Sequence, residues 1–230
     1  MFGDISGEFD KSKPLLCKEA RLLSYSKDPQ EKRQNVINLD LELLNKNGNV
    51  KVHKTHDVAI VYMGNAKRED ETVITELVKG IIPISTTDSG ILTTKIEFIK
   101  KFDQVLTANE VYVFGYPNSI GLEGYPQIDS KKPLLRKGIV AGTNDLKKTI
   151  IIDCFMFHGN SGGPVLQAEW IEIGKKDLGI IGVVSEIIPV KARNLNLQLK
   201  DDDTLQYFSG YSVVVPMDMV LELVNQPPSP

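Results

Sequence analysis

The segment that most constrains the fold lies between two apolar stretches of the chain: Phe157-His158-Gly159-Asn160-Ser161-Gly162-Gly163-Pro164. Its glycines stand two residues before the serine and directly after it, and glycine tolerates the positive φ values of tight turns. A serine in such a loop can attack a carbonyl carbon, while its own N–H and that of Gly159 hold the oxyanion. The segment predicts a nucleophilic Ser161 with an oxyanion hole formed by Gly159 and Ser161. A plain Gly/Ser turn is the alternative.

The same residues satisfy G-x-S-x-G, the nucleophile elbow of α/β-hydrolases. An elbow requires a helix after the serine, with an acid and a histidine further along the chain. Here Pro164 and more apolar residues follow at once, and no histidine occurs after His158. A subtilisin-like order also fails, because the only histidine between Asp57 and Ser161 is His158, on the serine's own loop. The acid therefore lies upstream of Ser161.

The candidate for that acid is Asp57, in the segment His56-Asp57-Val58-Ala59-Ile60-Val61. An aspartate at the mouth of a buried strand can accept a hydrogen bond from an imidazole Nδ1–H with little competition from water. An aspartate before an apolar run is also typical of a helix cap or a turn. Both interpretations stand on the sequence alone.

Short apolar segments separated by turn residues run through most of the chain. One helix is predicted at 69–79 and another closes the chain at about 217–224. Strands are predicted at 20–25, 58–63, 93–99, 111–114, 135–140, 149–155, 164–173, 179–186 and 211–216. Many short strands with few helices predict an all-β fold.

The overall composition excludes several classes of protein. The chain has 230 residues with 27 basic and 30 acidic side chains, a net charge of -3, which argues against a nucleic-acid partner. No run approaches the roughly 18 apolar residues of a membrane span, and the start lacks the features of a secretory signal, so a cytoplasmic protein without a membrane partner is expected. Cys17 and Cys154 suit a reduced compartment. The three histidines and two cysteines show no ligand spacing, so no metal or cofactor is predicted.

Taken in order, the sequence motifs resemble those of trypsin-like serine peptidases of the chymotrypsin fold, particularly the bacterial members related to HtrA-type proteases. The similar segments are His56-Asp57-Val58-Ala59-Ile60-Val61, Phe114-Gly115-Tyr116-Pro117, Gly138-Ile139-Val140-Ala141, Gly159-Asn160-Ser161-Gly162-Gly163-Pro164 and Tyr211-Ser212-Val213-Val214-Val215-Pro216. Their order and spacing fit from Val36 to Val224.

The resemblance implies two packed antiparallel β-barrels, the first of them incomplete, and a short C-terminal helix. Residues 1–115 would carry the triad aspartate, 116–133 would connect the barrels, 134–226 would carry the nucleophile and the closing helix, and 227–230 would form a tail. By position, Ser161 resembles the nucleophile and Asp57 the triad acid. The N–H groups of Gly159 and Ser161 resemble the oxyanion hole.

The resemblance also implies a polypeptide substrate, and it predicts no particular oligomeric state. The residue six before the nucleophile, Phe155, would lie at the base of the substrate pocket. It carries no negative charge, so arginine or lysine at the cleaved residue is not indicated. Val184 and Ser185 would contribute to the pocket wall, and His158 would line the cleft.

One family feature is missing, because the family places a histidine upstream of the acid and residues 1–52 contain none. His56 is adjacent to Asp57 and on a strand would point to the opposite face. His53 would need an unusual turn to reach the acid. Two hypotheses follow: a serine endopeptidase whose general-base histidine lies upstream of Met1, or an inactive pseudoprotease that binds peptides. The first is favoured because the other family segments are intact.

Overall fold

In a computed structural model of the chain, the described residues are 17–25, 34–69, 72–86, 94–116, 125–129, 132–156, 160–191 and 206–226. They contain thirteen strands and two α-helices, and the predominance of strands confirms the all-β prediction. The N-terminal elements are β1 (Glu19–Tyr25), β2 (Gln34–Asp40), α1 (Leu41–Lys46), β3 (Val50–Val52), β4 (Ala59–Val61), β5 (Gly64–Glu69), β6 (Thr72–Leu77) and β7 (Ile81–Ser85). The later elements are β8 (Glu110–Gly115), β9 (Leu134–Asn144), β10 (Thr149–Asp153), β11 (Pro164–Glu172), β12 (Lys175–Lys191), β13 (Gln206–Pro216) and α2 (Met217–Asn225).

The chain divides into two compact units. The N-terminal unit comprises the described residues within 1–55, 59–94 and 223–230, and the barrel unit comprises those within 56–58 and 95–222. Strand β8 lies in the barrel unit, although the sequence-based division placed it with the N-terminal part. The reason is its pairing, because β8 lies between β9 and β11 and hydrogen-bonds to both.

The barrel unit is a closed six-stranded barrel in the order β10-β13-β12-β11-β8-β9, with every pair antiparallel. Closure leaves each strand with two neighbours, so no strand edge stays unpaired. Alternate residues point inward and fill the interior with branched side chains. The buried core consists of Phe102, Val105, Val111, Val113, Val140, Ile150, Ile152, Cys154, Met156, Val165, Ile181, Val184 and Val214.

A buried amide on β11 holds the segment that precedes β8. Gln167 is fully buried; its Oε1 accepts from the Leu106 N–H at 2.9 Å and its Nε2 donates to the Gln104 carbonyl at 3.2 Å. Buried polar groups need such partners. The Phe102 N–H donates to Asp218 Oδ2 of α2 at 2.7 Å. The segment that precedes β8 is thereby held at both of its ends.

The N-terminal unit has smaller sheets and a smaller core. Its described strands form a three-stranded sheet, β1-β2-β7, and two hairpins, β3-β4 and β5-β6. The buried cluster consists of Ile37, Leu44 and Ile81, with partly buried side chains around it. Asp40 caps helix α1 by accepting from the Leu43 N–H at 2.8 Å. Within the described residues these strands do not join into one barrel.

Two helix predictions have opposite outcomes. The closing helix is confirmed as α2, and the helix predicted at 69–79 is wrong, because that stretch holds the end of β5 and all of β6. Residues 72–75 are threonine, valine, isoleucine and threonine, whose branched β-carbons favour a strand. Among the described helices, none has the length and apolar character needed to cross a membrane.

Candidate functional site

Ser161 lies in the loop between β10 and β11, and backbone hydrogen bonds fix this loop against β12. The Gly162 N–H donates to the Val184 carbonyl at 2.8 Å, and the Val184 N–H donates to the Gly163 carbonyl at 3.0 Å. A turn closes within the loop, where the Gly163 N–H donates to the Asn160 carbonyl at 3.0 Å. The backbone of Ser161 therefore occupies a fixed position beside β12.

Two glycines allow the serine loop to pack against the end of β8. A Cβ on Gly115 would lie 1.9 Å from Asn160 Nδ2, and a Cβ on Gly163 would lie 2.4 Å from the Phe114 carbonyl oxygen. Both distances are far below van der Waals contact, so only glycine fits at either position without a shift of its neighbours. The Phe114-Gly115 and serine segments, which the sequence singled out separately, thus form one packed unit around the buried Asn160.

Ser185 connects the predicted nucleophile to the predicted acid. Ser161 Oγ donates to the Ser185 carbonyl at 3.0 Å, and Ser185 Oγ donates to Asp57 Oδ2 at 3.1 Å. Asp57 and Ser185 are 128 residues apart in the chain, so the fold brings them together. The sequence placed Ser185 in a pocket wall and gave no sign that it bridges the other two.

Asp57 and Ser161 are both exposed to solvent. The sequence predicted a buried strand at 58–63 directly after Asp57, but β4 is only three residues long and none of them is buried. The acid therefore lies in water rather than at the mouth of a buried strand. Water screens its charge, and this weakens its hold on any imidazole that binds it.

The hydrogen bonds of Ser161 indicate what the site can do. Its hydroxyl donates to a backbone carbonyl, which accepts a hydrogen bond but does not take up a proton at neutral pH. Within the described part of the chain, the Ser161 N–H has no hydrogen-bond acceptor, so it remains available to an oxyanion. The second predicted donor, Gly159, and the predicted cleft residue His158 lie outside the described residues.

The two described histidines form hydrogen bonds elsewhere. His56 Nε2 donates to the Lys147 carbonyl at 3.1 Å. His53 Nδ1 accepts from the Thr55 N–H at 3.3 Å. Among the described residues, Ser161 Oγ has the Ser185 carbonyl as its only hydrogen-bond partner. A general base for Ser161 is therefore not provided by His53 or His56.

The remaining predicted pocket residues have different environments. The side chain of Phe155 is about half exposed, at 52%. Val184 is buried in the barrel core opposite Val214, which differs from its predicted place in a pocket wall. The alternation of strand β12 turns this side chain inward, so a ligand can meet only its backbone.

Of the two free cysteines, Cys17 is exposed and its thiol donates to the Glu19 carbonyl, whereas Cys154 is buried. Burial raises the pKa of the Cys154 thiol, which keeps it protonated and unreactive within the barrel core. No group of three or more histidine, cysteine, aspartate or glutamate residues in the described ranges could hold a metal ion.

Comparison with protein-family models gave no match, and comparison with curated proteins gave no significant match either.

Proposed function

We propose that this chain carries the nucleophile and the acid of a serine endopeptidase, built as two packed antiparallel β-barrels of the chymotrypsin type. The observation that supports it is the contact of Ser185 with both Ser161 and Asp57. Ser161 bonds to the carbonyl of Ser185 and Asp57 to its hydroxyl, and the N–H of Ser161 is available to an oxyanion. The proposed substrate is a polypeptide, and the proposed location is the cytoplasm.

The proposed reaction is acyl transfer through Ser161. Ser161 Oγ attacks the peptide carbonyl carbon as its proton passes to a histidine, and the N–H groups of Ser161 and Gly159 bind the oxyanion. Collapse of this intermediate breaks the C–N bond, and the histidine returns the proton to the leaving amine. Water then hydrolyses the acyl-enzyme by the same steps, and Asp57 orients the histidine throughout.

The histidine is the component that the described residues do not bring to Ser161. We propose that it lies upstream of Met1, as the motif order implies. A serine hydroxyl is a weak nucleophile unless a base activates it. In its absence, binding and oxyanion stabilisation alone leave only weak activity.

A fluorophosphonate probe, which reacts with activated serines, tests this proposal. The longest polypeptide encoded by the gene should be labelled, and the Ser161→Ala variant should not. The 230-residue chain should be labelled slowly and faster with added imidazole, which supplies a base. Ser85→Ala on strand β7 is the matched control and should be labelled like the wild type. If no form shows labelling that depends on Ser161, with or without imidazole, the endopeptidase proposal is wrong.

A catalytically inactive peptide-binding module is the second candidate. It is favoured by the bond from Ser161 Oγ to a backbone carbonyl and by the solvent exposure of Asp57. In that case peptides bind at Ser161 without cleavage, and the fluorophosphonate probe labels none of the forms. Peptide binding measured by fluorescence anisotropy, together with the absence of labelling, would establish this function instead.

A further inference from the structure

Strand β12 departs from regular pairing at the candidate site. Val184 lies opposite Val214 on β13, and Glu186 lies opposite Val213, so Ser185 is an extra residue with no partner in the register. This is a β-bulge, in which two residues of one strand face one residue of the other. Residues that pair directly across two strands lie on the same face of the sheet. Val184 therefore shares a face with Val214, and Glu186 shares a face with Val213.

The bulge places two consecutive side chains on the outside of the barrel. Val184 is buried in the core, and Ile187 packs against the same core. Ser185 and Glu186 between them both face outward, whereas regular alternation would turn one of them inward. The residue that contacts Ser161 and Asp57 is therefore followed directly by an outward carboxylate.

The carboxylate of Glu186 is exposed and has no ion-pair partner among the described residues. Its paired neighbour on the outer face is Val213, and the residue opposite Val213 on β10 is Ile151. Both of these side chains are partly buried and apolar. The two paired neighbours of Glu186 thus offer it apolar contact, and neither carries a charge.

We propose that Glu186 binds a lysine or arginine side chain of the polypeptide held at Ser161, and so selects cationic segments. This proposal rests on the proposed function. Because Glu186 directly follows Ser185 and residues of an extended chain are about 3.3 Å apart, the selected residue lies within about three residues of the bond presented to Ser161.

The chemistry of the surface fits a long basic side chain. Lysine and arginine lay their methylene stems on apolar surface while the charged group stays in water, and Val213 and Ile151 provide such a surface. A guanidinium can also bind a carboxylate through two parallel hydrogen bonds, so arginine should bind at least as well as lysine. The residue bound by Glu186 is a different substrate residue from the one whose side chain would enter the pocket with Phe155 at its predicted base.

The test measures peptide binding to the Ser161→Ala variant, in which turnover is removed. Fluorescent peptides carry a single lysine that is moved one residue at a time along a neutral sequence, and Kd is measured by fluorescence anisotropy. We expect one register to bind about two- to fivefold more tightly than the lysine-free peptide, the effect of an exposed ion pair. The advantage should shrink at high salt and vanish in Glu186→Gln, and Glu186→Lys should prefer a glutamate peptide.

Glu172→Gln is the matched control, because it removes one exposed carboxylate next to the β11–β12 turn. Its paired residue Lys175 is ten residues before Ser185 on β12, which corresponds to about 30 Å of strand. The control should keep the lysine preference. An equal loss in Glu172→Gln, a lysine effect that is independent of register, or no peptide binding at all would overturn the proposal.

Fluorophosphonate labelling of the wild type separates this proposal from the proposed function. Labelling at Ser161 without any lysine preference would refute the role of Glu186 and leave the endopeptidase standing. A lysine preference without labelling would support the role of Glu186 in a peptide-binding module.

Discussion

The barrel unit and the N-terminal unit are both built from short strands, but they differ in closure and in core size. In the barrel, six strands close around thirteen buried side chains. In the N-terminal unit, the described strands form three separate sheets around three buried side chains. The larger core should make the barrel the more stable unit, since stability follows the apolar area removed from water.

This difference in closure matters for the candidate site, because the site lies in the closed unit. Ser161, Ser185 and Asp57 all lie in the barrel unit, and the serine loop is bonded to a strand of the closed barrel. A site on a rigid, fully paired scaffold keeps its geometry better than one on a loosely packed sheet. The position of Ser161 should therefore depend on barrel packing.

The largest expected effect is a difference between two buried isoleucines. Ile152→Ala in the barrel should lower the free energy of unfolding by about 2–5 kcal/mol, because the fully enclosed cavity cannot collapse. Ile37→Ala in the N-terminal unit should cost less, since its neighbours are partly exposed and can move or admit water. Both costs are measured by urea unfolding, with hydrogen exchange of the backbone amides as a separate readout for each unit.

The exposed Ile82 on β7 provides the control for this pair. Its side chain is 52% exposed, so Ile82→Ala should change the free energy of unfolding by no more than about 0.5 kcal/mol. Equal costs for Ile152→Ala and Ile37→Ala would contradict the comparison and show that the two cores are packed equally well.

Local sequence was sufficient to predict most of the barrel. Strands β8 to β13 contain alternating or continuous apolar residues bounded by turns, and each was predicted within a few residues, apart from the long extensions of β12 and β13. The helix predicted at 69–79 was wrong because its charged residues suit a helix as well as a hairpin. The pairing of β5 with β6 decides between the two, and this pairing is not visible in local sequence.

Part of the candidate site could also be predicted from local sequence. The glycine spacing around Ser161 and the aspartate at 57 identified two residues that the fold brings to one residue, Ser185. The bridging role of Ser185 depends on the bulge between β12 and β13, and bulges arise from non-local pairing. The packing of Asn160 on Gly115 is also non-local, although the glycine of each motif was a signal that a close approach was possible.

The second expected effect tests whether tight barrel packing extends to the serine loop. Gly115→Ala should destabilise the chain by about 1–3 kcal/mol, because the added methyl group overlaps Asn160 Nδ2. It should also slow the labelling of Ser161, the next residue after Asn160. Gly142→Ala on β9 is the matched control, since a Cβ there meets nothing within 4 Å, and its stability should be unchanged or slightly higher. Equal behaviour of the two variants would show that the loop relaxes freely.

The smallest expected effect tests whether surface charge, rather than the buried core, makes the barrel unit more stable than the N-terminal unit. Hydrogen bonds from Lys137 and Lys176 lower the pKa of Glu110 from 4.5 to about 2, and Tyr112 adds a third bond to this carboxylate. A lowered pKa stabilises the fold above pH 4.5, and that contribution is lost as the pH falls from 4.5 through about 2. The difference in unfolding free energy between the wild type and Glu110→Gln should therefore shrink over this interval.

Glu97→Gln is the control for this experiment, because Glu97 is exposed and forms no ion pair with the described residues. Comparison with this variant separates the effect of the Glu110 cluster from that of removing one exposed carboxylate. Since the Glu110 cluster is exposed to water and salt, its effect should stay well below that of Ile152→Ala at every pH. A larger effect for Glu110→Gln would mean that the ion pairs, not the closed core, account for the greater stability of the barrel.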